Sequence, residues 1–540
     1  MQNKAEKYVI RKKYYRIAGI FFIISTTIYL LWLSKHLNSN AKLISWGFFV
    51  TQTFSFLLVT LSVINHWKTK YRLRRPPLSA SPPAVAIIVA TYKEPVKIVR
   101  KTVKSLLRIT YPGEIALVVS NDDQDPKQRY ELEKMVQDMG SNRLFLYHTT
   151  EHTQAKAGNL NQGISFLRAN FPNFDLLLTQ DADEVAYADI LNATVGYFAD
   201  PNVAYVQTIK QSKVAKHDPF GNRDLVWYGR TAASKDAGNA MFACGSGVVW
   251  RISGLESVGG FSTWNMVEDL TTSYNLLAKG WDSRYHFEPL SEGLAPEDLP
   301  NFIKQRVTWA TDALRIFFWD NPLFKSGLTI SQRLHFLETP LFYLNGFVVL
   351  ALVVLTSLSL LFEKWPTTVD AVTHTKYLLP SFLSLEAYFL TNNANIAYTR
   401  IRQFWVGLSP NFALAALKVF ISGPNNKPTY KVTKKVNKYG NYLHLVLPQI
   451  LVLALICLSL AKVVVSTPLY SGFDWATVFW GFYQASFFVQ IIKVSSWKYS
   501  PRVNIQFQMK GVINNSHGTV YPTRSSLSIE ATPFEKGKRK

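Results

Sequence analysis

Asp181 and Asp183 stand one residue apart, just past the apolar run Leu176–Thr179. Two carboxylates so spaced can turn toward one hard cation. Mg2+ and Mn2+ favour carboxylate and phosphate oxygens, so the pair suits a metal-bridged diphosphate. Taken alone, acidic residues at a strand end are equally turn formers. Glu268 and Asp269 make a second acidic pair, and a positioned carboxylate is a candidate acid or base. Its rival is the acidic first turn of a helix over Leu270–Leu277. Lys156, in Lys156-Ala157-Gly158-Asn159-Leu160-Asn161, offers a point charge to phosphate, and the Gly158 and Asn159 backbone could approach a ligand closely. A solvated loop lysine would do nothing. In Thr91-Tyr92-Lys93-Glu94-Pro95, an aromatic face and a carboxylate can hold a base and its ribose, unless they form only a helix N-cap. Trp309 offers a flat apolar face for stacking a sugar, or is an interfacial Trp on an amphipathic helix with Phe302, Phe317, Phe318 and Trp319.

These residues need a scaffold. Ala84–Ala90 and Ile115–Ser120 are unbroken β-rich apolar runs of the kind that parallel strands buried on both faces show. Pro95–Leu107 has helical spacing between them. Leu144–His148 and Leu176–Thr179 supply a third and a fourth strand. Strands alternating with helices predict a doubly wound α/β sheet, with ligands at the carboxyl ends of the strands. Asp122, Asp123, Asp181 and Asp183 all fall at such ends.

The remainder of the chain is a different material. Of 540 residues, 59 are Lys or Arg and 36 Asp or Glu, a net charge of +23; 48% are hydrophobic and only 18% charged, against roughly 25% in soluble domains. Apolar stretches are held apart from basic ones, the pattern of a membrane protein. A chain of this length and apolar content can build a sizeable core, which excludes disorder and a stapled mini-protein, and the two cysteines, Cys244 and Cys457, lie too far apart in sequence to suggest a disulfide framework. Candidate spans are Ile17–Leu33, Leu43–Asn65, Thr339–Phe362, Tyr377–Thr399, Tyr439–Ala461 and Trp475–Ile492. The first follows a basic tail without a small-residue cleavage site, so it is expected as a retained anchor. Lys and Arg crowd the N-terminal tail, Lys68–Arg75, Arg400–Lys438 and the tail after Lys493. The positive-inside rule then places both termini and the insert in the cytoplasm.

The expected organisation is 1–75 (tail and first two spans), 76–338 (cytosolic α/β unit), 339–399 (spans three and four), 400–438 (an interfacial helix and a loop), 439–494 (spans five and six) and 495–540 (cytosolic tail). The basic clusters suit anionic lipid headgroups. Nucleic acid is not an expected partner, because the basic residues track span ends and no recognition motif accompanies them.

The ordered set of motifs resembles the processive family 2 glycosyltransferases of the cellulose synthase type. Thr91–Pro95, Asp122-Asp123, Lys156–Asn161, Asp181/Asp183, Val267-Glu268-Asp269 and Gln305-Arg306-Val307-Thr308-Trp309 follow one another as that family's TYNEP, DDG, KAGNLN, DxD, TED and QxxRW do. Phe242–Gly247 resembles FFCGSG, and Tyr430–Lys435 resembles FxVTxK. The resemblance covers roughly residues 84 to 440. It implies a GT-A-like catalytic domain inserted into a multi-helix membrane domain, and a plasma-membrane β-glucan synthase using UDP-glucose and Mg2+ or Mn2+. The glucan would be linear, β-1,4 or β-1,3, and would be translocated.

In that reading Asp269 is the general base, with Glu268 beside it. Thr91, Tyr92, Glu94 and Asp122 or Asp123 face uridine, and Lys156 and Asp181 meet the diphosphate. Cys244, Gln305, Arg306 and Trp309 contact substrate, and Thr433 lies on a gating loop. Partners are UDP-glucose, the growing chain, the bilayer and accessory subunits. One departure stands out: Thr308 occupies the place of an Arg that contacts the diphosphate in the family. Arg306, Lys156, Lys431, Lys434 or Lys435 would have to supply that charge. Tyr388, Asn392, Asn393, Asn395, Gln449 and Glu386 are candidates to line a pore, and Arg402–Phe420 reads as a surface-lying helix. The competing activities are single sugar transfer to a lipid phosphate, a synthase using mannose or GlcNAc nucleotides, and a transporter with a nucleotide-sensing domain.

Overall fold

The computed structural model describes residues 12–152, 154–214, 218–222, 226–296, 298–392, 398–426, 441–466 and 472–496. Two helices, α1 (Lys12–Ser34) and α2 (Lys42–His66), precede the α/β unit. That unit runs β1 (Val85–Thr91), α3 (Val96–Leu106), β2 (Ile115–Asn121), α4 (Pro126–Met139), β3 (Leu144–His148), α5 (Ala155–Asn170) and β4 (Leu176–Asp181). These four strands are parallel. β1, β2 and β4 open with continuous apolar runs because both of their faces are covered, while β3 is a partly exposed edge strand. Val85, Ile87 and Val89 pack with Val99, Val103, Leu132 and Met135 on one side, while Ala86 and Ile88 pack with Leu160, Ile164 and Leu167 of α5 on the other. The Asp125 side chain caps α4 ahead of Pro126, and Gly140, left-handed at φ 56°, ends it.

The second half of the unit departs from the doubly wound expectation. It contributes β5 (Val185–Ala186), β6 (Val203–Lys213), β7 (Val248–Arg251), helix α6 (Glu268–Ala278) and β8 (Asp282–Leu294). Among the described residues the sheet order is β3-β2-β1-β4-β7-β6-β8-β5, with β7 antiparallel to both β4 and β6. The sheet is therefore mixed. Its strand order reverses between β1 and β4, where Ala90 pairs with Asp181. A crevice opens at such a switch point, which puts the Thr91 loop and the Asp181 turn side by side.

Helix α7 (Leu299–Trp319), capped by Asp298, leads to α8 (Ile330–Phe362), α9 (Ala371–Asn392), α10 (Tyr398–Gly407), α11 (Ser409–Ser422), α12 (Leu447–Ser466) and α13 (Gly472–Lys493). At 33 residues α8 is about 50 Å long, more than the roughly 30 Å of hydrocarbon, so its first turns stand clear and join the α/β unit. There Gln332 donates to Asn239 O (2.9 Å) and Lys235 donates to His335 O (2.7 Å). A core of Phe220, Tyr274, Phe302, Leu314, Phe336, Tyr343, Phe404 and Phe412 unites α6, α7, α8, α10 and α11.

Among the described residues, four helices are long and apolar enough to cross a membrane: Tyr14–Ser34, Ser39–His66, Ile330–Phe362 and Leu443–Val463. They correspond to the first, second, third and fifth expected spans. The fourth and sixth fall on α9 and α13, each a 22-residue helix outside that apolar group. Both carry polar and aromatic loads, with His374, Ser381, Ser384 and Glu386 on α9 and Trp480, Tyr483 and Gln484 on α13.

Two expectations need correction. Arg402–Phe420 is not one surface helix: it breaks near Leu408, α10 and α11 bend by 42°, and Phe404, Leu408, Phe412 and Val419 are buried. The basic stretch after α2 is also partly consumed inside the protein. Arg72 pairs with Asp236 (2.8 Å) and Arg75 with Glu288 (2.6 Å), while the Lys70 amide donates to Ala233 O (2.8 Å). Of the expected pore-lining residues, Tyr388 is fully buried against Ser62, and Gln449 donates to Gly407 O and to Asn411, tying α12 to α10 and α11.

Candidate active site

Lys156 is the hinge of the polar centre. Two left-handed residues, Gln154 (φ 59°) and Ala155 (φ 55°), precede it and turn the chain into α5. Its Nζ donates to Asp181 Oδ1 (2.5 Å) and to Gly245 O (3.1 Å) and pairs with Glu268 (2.8 Å). Burial works against the charge on Lys156, but the carboxylates of Asp181 and Glu268 outweigh it and hold its pKa well above the ordinary value. Gly158 and Asn159 are not exposed backbone. Both sit inside α5, where the buried Asn159 side chain donates to Thr91 O and Ser120 O and ties β1 to β2.

Glu268 and Asp269 open α6. Glu268 is 3% exposed and turned to Lys156, whereas half-buried Asp269 lines the central cavity. Burial, and then the charge of Glu268, push the Asp269 carboxyl up to about 8, although Lys156 pulls the other way. Asp269 Oδ1 accepts from the Leu270 amide (2.6 Å), and the preceding loop is held by Asp312, which accepts from the Met266 and Val267 amides. Gly245 sits at φ 81°, and a Cβ there would lie 3.1 Å from Asp269 Oδ2 and 3.5 Å from Lys156 Nζ. Neighbouring Cys244 donates its amide to Gln207 Oε1, and burial pushes its thiol up to about 12.

Asp181, Asp183 and Glu184 bring carboxylate oxygens within 4.8 Å of one another. Three hard oxygen donors at this spacing fit a divalent cation. Glu184 is almost fully buried; burial raises its pKa while Lys210, ion-paired with it, opposes. The Lys210 Nζ also lies 4.0 Å from Asp181 Oδ2.

At the ends of β1 and β2 the predicted residues hold one another. Glu94 accepts from Thr91 Oγ1 (2.9 Å) and the Tyr92 amide (2.5 Å). Asp122 accepts from Thr149 (2.7 Å) and contacts His152 (2.5 Å), whose ring stacks on Tyr92 at 4.2 Å. Asp123 turns to its own loop, accepting from the Asp125 amide.

One cavity of about 820 Å3 joins the site to the helices. It starts at Lys210, Cys244 and Asp269, passes Gln305, Arg306 and Trp309, and continues along Tyr343, Trp405, Tyr483 and Trp480 to His374. On α7, Gln305, Arg306, Trp309, Asp312 and Ala313 face it, and Thr308 falls outside that lining. Trp309 is 40% exposed, and the Arg306 guanidinium lies within 4.5–5.2 Å of the ring centroids of Trp309, Phe302 and Trp405. Thr433, with Lys431, Lys434 and Lys435, lies outside the described residues, as do Asn393 and Asn395.

A family profile described as glycosyltransferase like family 2 matches residues 82–311, and one described as cellulose synthase matches residues 256–492. This chain belongs to the cellulose-synthase-type family 2 glycosyltransferases. Cellulose synthase 1 of Komagataeibacter xylinus is 33% identical to it over 356 residues, 61% of this chain and 22% of that protein. The UDP-forming cellulose synthase catalytic subunit of Xanthomonas axonopodis pv. citri is 29% identical over 316 residues, 56% of this chain and 41% of that one. This glycosyltransferase thus spans less than half the length of these curated relatives. A solved mannosyltransferase from Pyrobaculum calidifontis, in complex with GDP-Man and Mn2+, superimposes with a TM-score of 0.52 at 17% identity, covering 69% of this chain and 98% of that one. The α/β unit has the GT-A-like glycosyltransferase fold.

Four residues of this cellulose-synthase-type site escaped the sequence reading. Glu184 directly follows the Asp181/Asp183 pair, so its neighbourhood was a usable signal. His152, Lys210 and Asp312 reach the site from loops, strands and helices distant in sequence, and no local pattern marks them.

Proposed function

We propose that this chain is a processive inverting glycosyltransferase that polymerises glucose from UDP-glucose into a linear β-glucan, with β-1,4 as the linkage, and passes the product across the membrane. The observation that carries this reading is the single cavity that begins at Asp269, beside the acidic cluster, and continues between aromatic side chains through the helices. Inversion in one displacement requires the acceptor hydroxyl to lose its proton as it attacks the anomeric carbon. Asp269, with a carboxyl near 8, is a base matched to neutral pH. Glu268 keeps that carboxyl basic by its own charge, and Lys156 balances the acidic pairs around it. A divalent cation, Mg2+ or Mn2+, held by Asp181, Asp183 and Glu184 would offset charge collecting on the departing diphosphate. Tyr92 and Asp122 hold the nucleoside end, and Trp309 stacks the terminal sugar.

A neutral polysaccharide needs hydrogen bonds and stacking to cross about 30 Å of hydrocarbon. The cavity offers both, through Asn392 and Gln484 among Trp405, Trp480 and Tyr483. Six spans with the α/β unit and both termini in the cytoplasm complete the proposal. The test is purified chain with UDP-glucose and Mg2+, scored for UDP release and for polymer by linkage analysis. One sugar per lipid, or turnover only with another sugar nucleotide, removes the reading.

A further inference from the structure

A sugar nucleotide leaves behind a diphosphate, whose negative charge must meet cations facing the cleft. The cleft-lining cations differ in what already holds them. Arg306 is enclosed by three aromatic rings. Lys235 is buried and donates to His335 O, and Arg402 pairs with Glu386 among the membrane helices. Lys210 differs from all of these. Its side chain is 26% exposed, it lines the same cavity as Asp269, and it stands between Glu184 and Asp181. Lys156 takes one oxygen of Asp181 and Lys210 approaches the other. Thr308 carries no charge and lies off the cavity face.

We infer that Lys210 binds the diphosphate of the sugar nucleotide in this chain, and that without nucleotide the same ammonium competes with the divalent cation for Asp181 and Glu184. The inference rests on the sugar-nucleotide reading above. An ammonium that shares carboxylates with a metal site is displaced from them when the metal binds. It then remains positively charged beside whatever ligand the metal carries. The consequence is an exchange: Lys210 weakens metal binding in the empty site and strengthens nucleotide binding in the loaded one.

Two titrations of the solubilised full chain test it. Lys210→Met should raise Mn2+ affinity without nucleotide by about threefold or more, because a competing positive charge is gone. At saturating Mn2+ the same variant should bind UDP about tenfold or more weakly, the loss of one charge-assisted contact. Lys210→Arg should keep UDP affinity within about threefold of wild type. A side chain that merely braces Glu184 would move both affinities in the same direction, so parallel changes, or an unchanged UDP affinity, overturn the inference. If Lys210→Met does not fold, Lys210→Gln, whose amide can still donate to Glu184, takes its place. Its UDP affinity at saturating Mn2+ must still fall about tenfold. Wild-type chain that binds none of UDP, GDP and ADP would refute the sugar-nucleotide reading instead, before any variant is made.

Discussion

Replacing Asp269 by Asn separates chemistry from architecture unusually well. The Asn side-chain oxygen can still accept from the Leu270 amide, now 2.6 Å from Asp269 Oδ1, so the start of α6 keeps its local hydrogen bond. With its carboxyl near 8, Asp269 is mostly protonated at neutral pH, so the variant gives up only part of the roughly 0.3–1 kcal/mol that an anion gains in a helix first turn, and with it part of the repulsion from Glu268. These oppose each other, and the melting temperature should stay within about 3 °C of wild type. The proton acceptor, however, is gone. Loss of a general base lowers kcat by about 10^2- to 10^4-fold, which is about 3–5 kcal/mol in the barrier. Asp269 is not one of the three clustered carboxylates, so UDP affinity should change by less than about threefold. UDP release at saturating UDP-glucose, isothermal titration with UDP and a thermal melt measure the three quantities. A folded Asp269→Asn chain that keeps more than about a tenth of wild-type turnover refutes the base assignment. The wild-type pH profile adds a second check. A base must be unprotonated, so kcat should climb with pH through about 8 and level off above it.

Other outcomes follow from the same geometry. Glu268→Gln removes the charge that raises Asp269 and frees Lys156 to neutralise it, so the acid limb of the pH profile should move below 8; an upward shift would contradict the pairing. Gly245→Ala places a methyl against Asp269 and Lys156 at a left-handed position that costs about 1–2 kcal/mol, so turnover should fall by about tenfold or more with only a modest loss of melting temperature. Trp309→Ala should preserve UDP binding while shortening the product, and Trp309→Phe should recover length; chain-length analysis of the polymer decides.

The parallel half of the sheet was legible because strands covered on both faces carry continuous apolar runs, and β1, β2 and β4 each open with one before turning polar at the carboxyl end. The remaining strands were not. β7 is four residues long, and β6 mixes buried apolar positions with Gln207, Lys210 and Lys213, so its partners depend on a register that no local pattern announces. The same physics hid Lys210, which meets Glu184 only once the sheet has closed. Motif order found Lys156, Asp181, Glu268 and Asp269, and the fold brings them together around Gly245. It did not reveal that Asn159 is a tie between strands, because an amide suits a ligand or a backbone equally well. The apolar stripe from Arg402 to Phe420 suits a lipid surface and the inside of a bundle equally, because periodicity does not tell the two apart.

The basic segment between α2 and β1 has one further implication. Arg72 and Arg75, which the positive-inside rule counts toward orientation, are also the groups that fasten to Asp236 and Glu288, and Gly196 leaves no room for a side chain beneath the Pro76 and Pro77 carbonyls. Orientation and assembly therefore share the same atoms. Replacing either arginine would remove a contact as well as a charge, so a topology altered by such a substitution could not be told apart from a loosened α/β unit.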